Sequence, residues 1–122
     1  MAKKILIVDD DPGIVKMLIG QLTARGFEAE SASDGEPGYI KAGKILPDVI
    51  LMDVVMPGWN GLYTANRLQS EPSTAKIPII FMTGLSDDNV SKKYLEQRKY
   101  FVLLKPFKVE ELLSILSKDL GI

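Results

Sequence analysis

Short apolar runs alternate with longer amphipathic stretches along this chain. Ile5 to Val8, Val49 to Met52, Ile77 to Met82 and Phe101 to Leu104 are strand-length and apolar throughout, the pattern of parallel strands buried on both faces. Phe27 to Ala32 alternates weakly and reads as one more strand. Helical spacing fills the intervals. Ile14, Val15, Leu18 and Leu22 repeat up to a stop at Gly26, and Leu62, Ala65 and Leu68 repeat up to Glu71-Pro72. Ser86-Asp87-Asp88 caps a fourth helix through about Arg98 with Val90, Tyr94 and Leu95 on one face. Val109, Leu112, Leu113, Leu116 and Leu120 mark the last helix. Glu36 to Ile45 contains Pro37, Gly38 and Gly43, so the helix predicted there is short or mobile. Five strands alternating with five helices predict an α/β fold, a doubly wound five-stranded parallel sheet forming one domain over residues 1–122.

The polar positions that end the strands carry the chemistry. Asp9-Asp10-Asp11-Pro12 follows the first strand, and Asp11 before Pro12 suits a helix N-cap with Pro at the first helical position. Asp53 ends the third strand and leads into a loop with Pro57, Gly58 and Asn60; Thr83-Gly84 ends the fourth strand and Lys105-Pro106 the fifth. Taken singly, each has a bland reading as a solvated carboxylate, a hydroxyl bonded to backbone or an exposed cation. In a doubly wound sheet, however, all these ends lie on one edge. Three carboxylates there form a hard-oxygen site for Mg²⁺, and Lys105 and Thr83 can offset or hydrogen-bond a transferring phosphoryl group. Asp53 would then be the nucleophile, giving an acyl phosphate.

Composition narrows the alternatives. The 122 residues include no Cys and no His, so disulfides, thiolate zinc sites and histidine chemistry within the chain are excluded. With a net charge of -1 and dispersed basic residues, no nucleic-acid footprint is present. The apolar runs are too short for a signal peptide or a membrane span, and a cytoplasmic location is expected.

The motifs Ile5-Leu6-Ile7-Val8-Asp9-Asp10-Asp11, Pro47-Asp48-Val49-Ile50-Leu51-Met52-Asp53 with Met56-Pro57-Gly58 and Gly61, Met82-Thr83-Gly84, and Lys105-Pro106-Phe107 together resemble the receiver domain of two-component response regulators. The resemblance implies a flavodoxin-like strand order of 2-1-3-4-5. It also implies that Asp53 is the phosphoacceptor, Asp10 a direct Mg²⁺ ligand and Asp9 a ligand acting mainly through water. The Val55 backbone carbonyl would complete the metal site, Thr83 and Lys105 would bind the phosphoryl group, and the Lys105-Pro106 bond would be cis. The implied partners are a sensor histidine kinase or histidine phosphotransfer protein as donor. The target would be a downstream protein bound through the fourth helix, fifth strand and last helix, with a homodimer also open. Because no output domain is attached, the signal leaves by protein contact or the chain is a piece of something longer.

Two departures from the family pattern stand out. Receivers commonly carry Tyr or Phe three residues before the strand-five Lys; here the position is Val102, preceded by Tyr100 and Phe101. Phe101 cannot replace Val102 without a one-residue slip, so an unusual output face is expected. The positions that in the family can hold a hydrolytic water are Val55 and Leu85, neither able to orient one, which predicts a long-lived acyl phosphate. Trp59 reads as a partly exposed loop aromatic packing on its neighbours. An enzymatic alternative, a phosphohydrolase of the haloacid dehalogenase type, would use Asp9 as nucleophile and Asp11 as acid/base. It leaves the strand-three motif unexplained. A flavodoxin-like cofactor module would instead need a phosphate loop after strand one, where three carboxylates stand. A non-phosphorylated receiver-like interaction module completes the alternatives.

Overall fold

Strands β1 (Lys4–Val8), β2 (Glu28–Ala32), β3 (Val49–Asp53), β4 (Ile79–Gly84) and β5 (Phe101–Lys105) pair in parallel in the order β2-β1-β3-β4-β5. This is the predicted sheet in the order the resemblance implied. The structure is a computed structural model that describes residues 2–84, 95, 97, 98 and 100–122. Of the predicted fourth helix only Leu95, Gln97 and Arg98 lie among them; Leu85 and the Asp87-Asp88 cap lie outside the described residues.

Period-two alternation divides the core into two layers. Leu6, Val8, Ile50, Met52 and Phe81 face helices α2 (Gly35–Ile45) and α3 (Gly61–Gln69). Ile5, Ile7, Leu51, Ile80 and Met82 face α1 (Pro12–Thr23) and the C-terminal helix (Val109–Ser114). All of these strand residues are buried. The C-terminal helix runs on as a π-helical turn, Ile115–Asp119, in which Leu120 N donates to Ile115 O at 3.1 Å.

Several boundaries move for local reasons. β4 starts at Ile79, because Pro78 has no N–H for the ladder; its carbonyl still accepts from Ile50 N at 3.0 Å. Helix α2 is not short: it runs for 11 residues. Pro37 falls in its first turn, where an N–H is unneeded. Gly38 is set by packing, since a Cβ there would stand 2.9 Å from both Val8 methyls. Helix α2 ends on Leu46, a non-glycine residue in the left-handed conformation (φ 46°, ψ 67°) whose N–H caps Ala42 O at 2.9 Å.

Phe101 packs with the α1 side, whereas Tyr100 and Val102 pack with the α2/α3 side, so β5 has not slipped by one residue. Tyr100 supplies an aromatic ring to the same layer as Val102. It meets Phe81 edge-on at 5.0 Å between centroids, and Gln69 on α3 hydrogen-bonds its hydroxyl.

Leu46 is half exposed and its left-handed backbone is strained, so Leu46→Gly is expected to stabilise the protein by about 0.5–1 kcal/mol, read as a higher urea midpoint at unchanged m-value.

Candidate functional site

The parallel sheet delivers Asp9, Asp53, Thr83 and Lys105 to one edge. Val8 pairs with Met52, so the residues that follow them, Asp9 and Asp53, stand side by side at the ends of adjacent strands. Asp53 pairs in turn with Met82, and Gly84 with Lys105. The N–H of Val54 donates to Met82 O at 3.0 Å, which locks the residue after Asp53 to β4. Gly61 approaches β3 so closely that a Cβ would clash with the Asp53 carbonyl, and its N–H donates to Val54 O at 2.9 Å. Asn60 caps α3 through its side-chain oxygen, bonded by Tyr63 N at 2.8 Å.

Asp9 and Asp53 are buried, Asp10 is exposed, and oxygens from the three carboxylates lie within 4.8 Å of one another. The Lys105 ammonium reaches over the end of β4 to Asp9 Oδ2 at 2.9 Å and Asp53 Oδ1 at 3.3 Å. The other Asp9 oxygen accepts from Asp11 N at 2.9 Å. Asp11 itself caps α1, accepting from Gly13 N and Ile14 N, as its place before Pro12 predicted. Thr83 is buried in β4 beside Leu104. Val55 projects its side chain into solvent two residues beyond Asp53. The Lys105-Pro106 peptide is cis, as the resemblance implied.

Burial pushes the Asp53 carboxyl up to about 6, and the neighbouring Asp9 charge adds to the rise; Lys105 pulls it back and Asp10 adds a further push. Burial alone would lower the Lys105 ammonium, but its hydrogen bond to Asp9 and the Asp53 and Asp9 charges outweigh this and raise it. Three carboxylates against one ammonium leave negative charge in excess. Their hard, clustered oxygens fit a small divalent cation such as Mg²⁺.

The Lys105-Asp9 pair was not legible in the sequence, because nothing in the spacing says how far a strand-five ammonium reaches. Also unforeseen was a group around Trp59, which is half-buried on its neighbours as predicted. Its ring lies 5.7 Å from Tyr39 and 5.0 Å from Tyr63, and the Arg67 guanidinium stands 5.0 Å from Trp59, 5.1 Å from Tyr39 and 6.0 Å from Tyr63. The four-residue spacing of Tyr63 and Arg67 on one helix was the signal available.

A doubly wound sheet with an acidic cluster, a hydroxyl and a lysine on its carboxyl edge defines a class, the receivers of phosphorelay signalling. The response regulator receiver domain model matches residues 5–117, and the chain belongs to this family, the phosphoacceptor switch of two-component systems. It is 37% identical to protein PilH of Pseudomonas aeruginosa over 97% of this chain and 98% of that protein. It is also 37% identical to response regulator PleD of Caulobacter vibrioides over 87% of this chain. There it spans only 23% of the relative's length, and it spans 46% of the regulator RpaA of Synechocystis. Among solved structures, the receiver domain of sensor histidine kinase PA1611 from Pseudomonas aeruginosa superposes with a TM-score of 0.88. It shares 26% identity, both chains are covered completely, and it holds a magnesium ion in its active-site cleft. A response regulator structure from Chloroflexus aurantiacus gives a TM-score of 0.90 at 31% identity, again over both whole chains.

The elevated Asp53 value sets a pH signature. A carboxyl raised on folding from 3.8 to about 6 favours the fold at low pH, and that contribution is lost as pH climbs through about 6. In metal-free buffer Asp53→Asn is therefore expected to be more stable than the wild type above pH 6, by at most about 3 kcal/mol. The gain should shrink toward zero near pH 4, as followed by urea unfolding across that range.

Proposed function

We propose that Asp53 is the phosphoacceptor of this receiver and that a sensor histidine kinase or histidine phosphotransfer protein is the donor. The observation that carries the assignment is where the Asp53 carboxyl stands, within the cluster of Asp9, Asp10 and Lys105. It is buried at the strand end beside Lys105 and Asp9 and is raised to about 6. Asp9, Asp10, Asp53 and the Val55 backbone carbonyl are the groups that would hold Mg²⁺, whose charge offsets that of the phosphoryl oxygens when bound.

An Asp53 oxygen attacks phosphorus as the bond from phosphorus to the donor's imidazole nitrogen breaks. Lys105, already 3.3 Å from Asp53 Oδ1, is placed to pair with a phosphoryl oxygen. The Thr83 hydroxyl donates a hydrogen bond to another, which draws the end of β4 toward the new charge. The segment that follows Thr83 and the β5 edge then carry the change to a downstream protein, or to a second copy of the chain. A cytoplasmic site of action accords with a histidine kinase donor, and no helix among the described residues is long and apolar enough to cross a membrane.

The geometry at Asp9 counts against the phosphohydrolase alternative. Both Asp9 oxygens are engaged, one by Lys105 and one by Asp11 N–H, while Asp11 is committed to its helix cap. That alternative also leaves Asp53, buried at the strand end beside Lys105, without a role.

Intact-protein mass after incubation with acetyl phosphate tests the assignment. One phosphoryl adduct is expected with Mg²⁺, none with chelator and none in Asp53→Asn; a persistent adduct in Asp53→Asn refutes it. The adduct is expected to outlast that of Val55→Asn, because Val55 has no polar atom to hold a hydrolytic water. Decay of the mass peak after removal of acetyl phosphate gives the comparison.

A further inference from the structure

The loop between β3 and α3 carries the Val55 carbonyl, and its two ends are anchored differently. At the β3 end the backbone holds it: Val54 N bonds Met82 O, Gly61 N bonds Val54 O, and Met56 is buried. Pro57 and Gly58 beyond are exposed, Gly58 with φ 72°, and they add no hydrogen bond to the described structure. At the α3 end the anchor is Trp59. Its backbone carbonyl and Cβ lie against Gly35 of α2 with no room for a Cβ between them, and its ring enters the group formed by Tyr39, Tyr63 and Arg67.

Arg67 is the common member of that group. Its guanidinium stands within 5.0 to 6.0 Å of all three ring centroids, and its Nη1 donates to the Tyr63 hydroxyl at 3.2 Å. Tyr39 is oriented in turn, because its hydroxyl donates to Glu71 Oε1 at 2.9 Å. A planar cation that faces several rings suits arginine, since lysine offers only a point charge. Three rings from three elements, α2, the loop and α3, are thereby gathered on one side chain that makes no contact with the carboxylate cluster.

We propose that Arg67 is a positioning residue for the phosphorylation site. By holding Trp59 it fixes the α3 end of the β3–α3 loop, the loop that carries the Val55 carbonyl assigned above to the Mg²⁺ site. The inference rests on the Mg²⁺ site assigned above, and it adds a residue the receiver motifs do not include. Its mechanism is preorganisation: a loop already ordered spends less of the binding energy of the cation on ordering itself.

The test is the Mg²⁺ dissociation constant, measured calorimetrically on the unphosphorylated protein beside its thermal midpoint, for wild type, Arg67→Ala, Arg67→Lys, Trp59→Ala and the double variant. Arg67→Ala is expected to raise the dissociation constant about three- to ten-fold. Arg67→Lys should recover only part of the loss. The double variant should bind no more weakly than Trp59→Ala alone, since Arg67 acts through that ring. A lowered midpoint with an unchanged dissociation constant in Arg67→Ala makes the group a stability element only and overturns the proposal, as does an additive double variant. No Mg²⁺ binding by the wild type would instead strike at the metal site itself, which keeps the two failures apart.

Discussion

The contact on which the site depends is the ammonium of Lys105 set between two buried carboxylates. Asp9 and Asp53 end adjacent strands, and both side chains are nearly closed to solvent. Two such charges repel strongly where water cannot screen them. Lys105 reduces the repulsion, while burial first and the Asp9 charge second hold the Asp53 carboxyl raised. The edge of the sheet is thus kept in a state of unmet demand for positive charge, which suits a module that must take up a metal ion and a phosphoryl group and later give the latter away.

The other end of β5 is held by aromatic packing. In this receiver Val102 stands where an aromatic side chain is common, and Tyr100, just before β5 and in the same core layer, packs edge-on to Phe81 and is bonded by Gln69 of α3. The aromatic ring therefore ties β5 to β4 and α3 from the beginning of the strand, while Lys105 occupies its end. A β-branched side chain at 102 has little freedom to swing, so no large rotor stands at that position of β5.

Much of this architecture was legible because parallel strands advertise themselves. Ile5-Leu6-Ile7-Val8 and Val49-Ile50-Leu51-Met52 are apolar at every position, and such runs have few alternatives to a core strand covered on both faces. The placement of Asp9, Asp53, Thr83 and Lys105 on one edge followed from topology alone. Helix α2 misled because Gly38 and Pro37 count against a helix in isolation; the close approach of Val8 and the first-turn position of Pro37 are tertiary and positional facts that propensity does not hold. The Lys105-Asp9 pair and the Arg67 group escaped for a related reason. Each depends on the reach of a long side chain across elements, and reach is not written in spacing.

The ammonium belongs to the last strand of the sheet, whereas the carboxylates it steadies come from the first and third. No fragment that stops short of β5 can assemble this set of ion pairs, however well its earlier strands have paired. The charge balance at this edge is therefore also a mark of how far the sheet has been built: a chain clipped before Lys105 leaves the Asp9 and Asp53 charges without their ammonium.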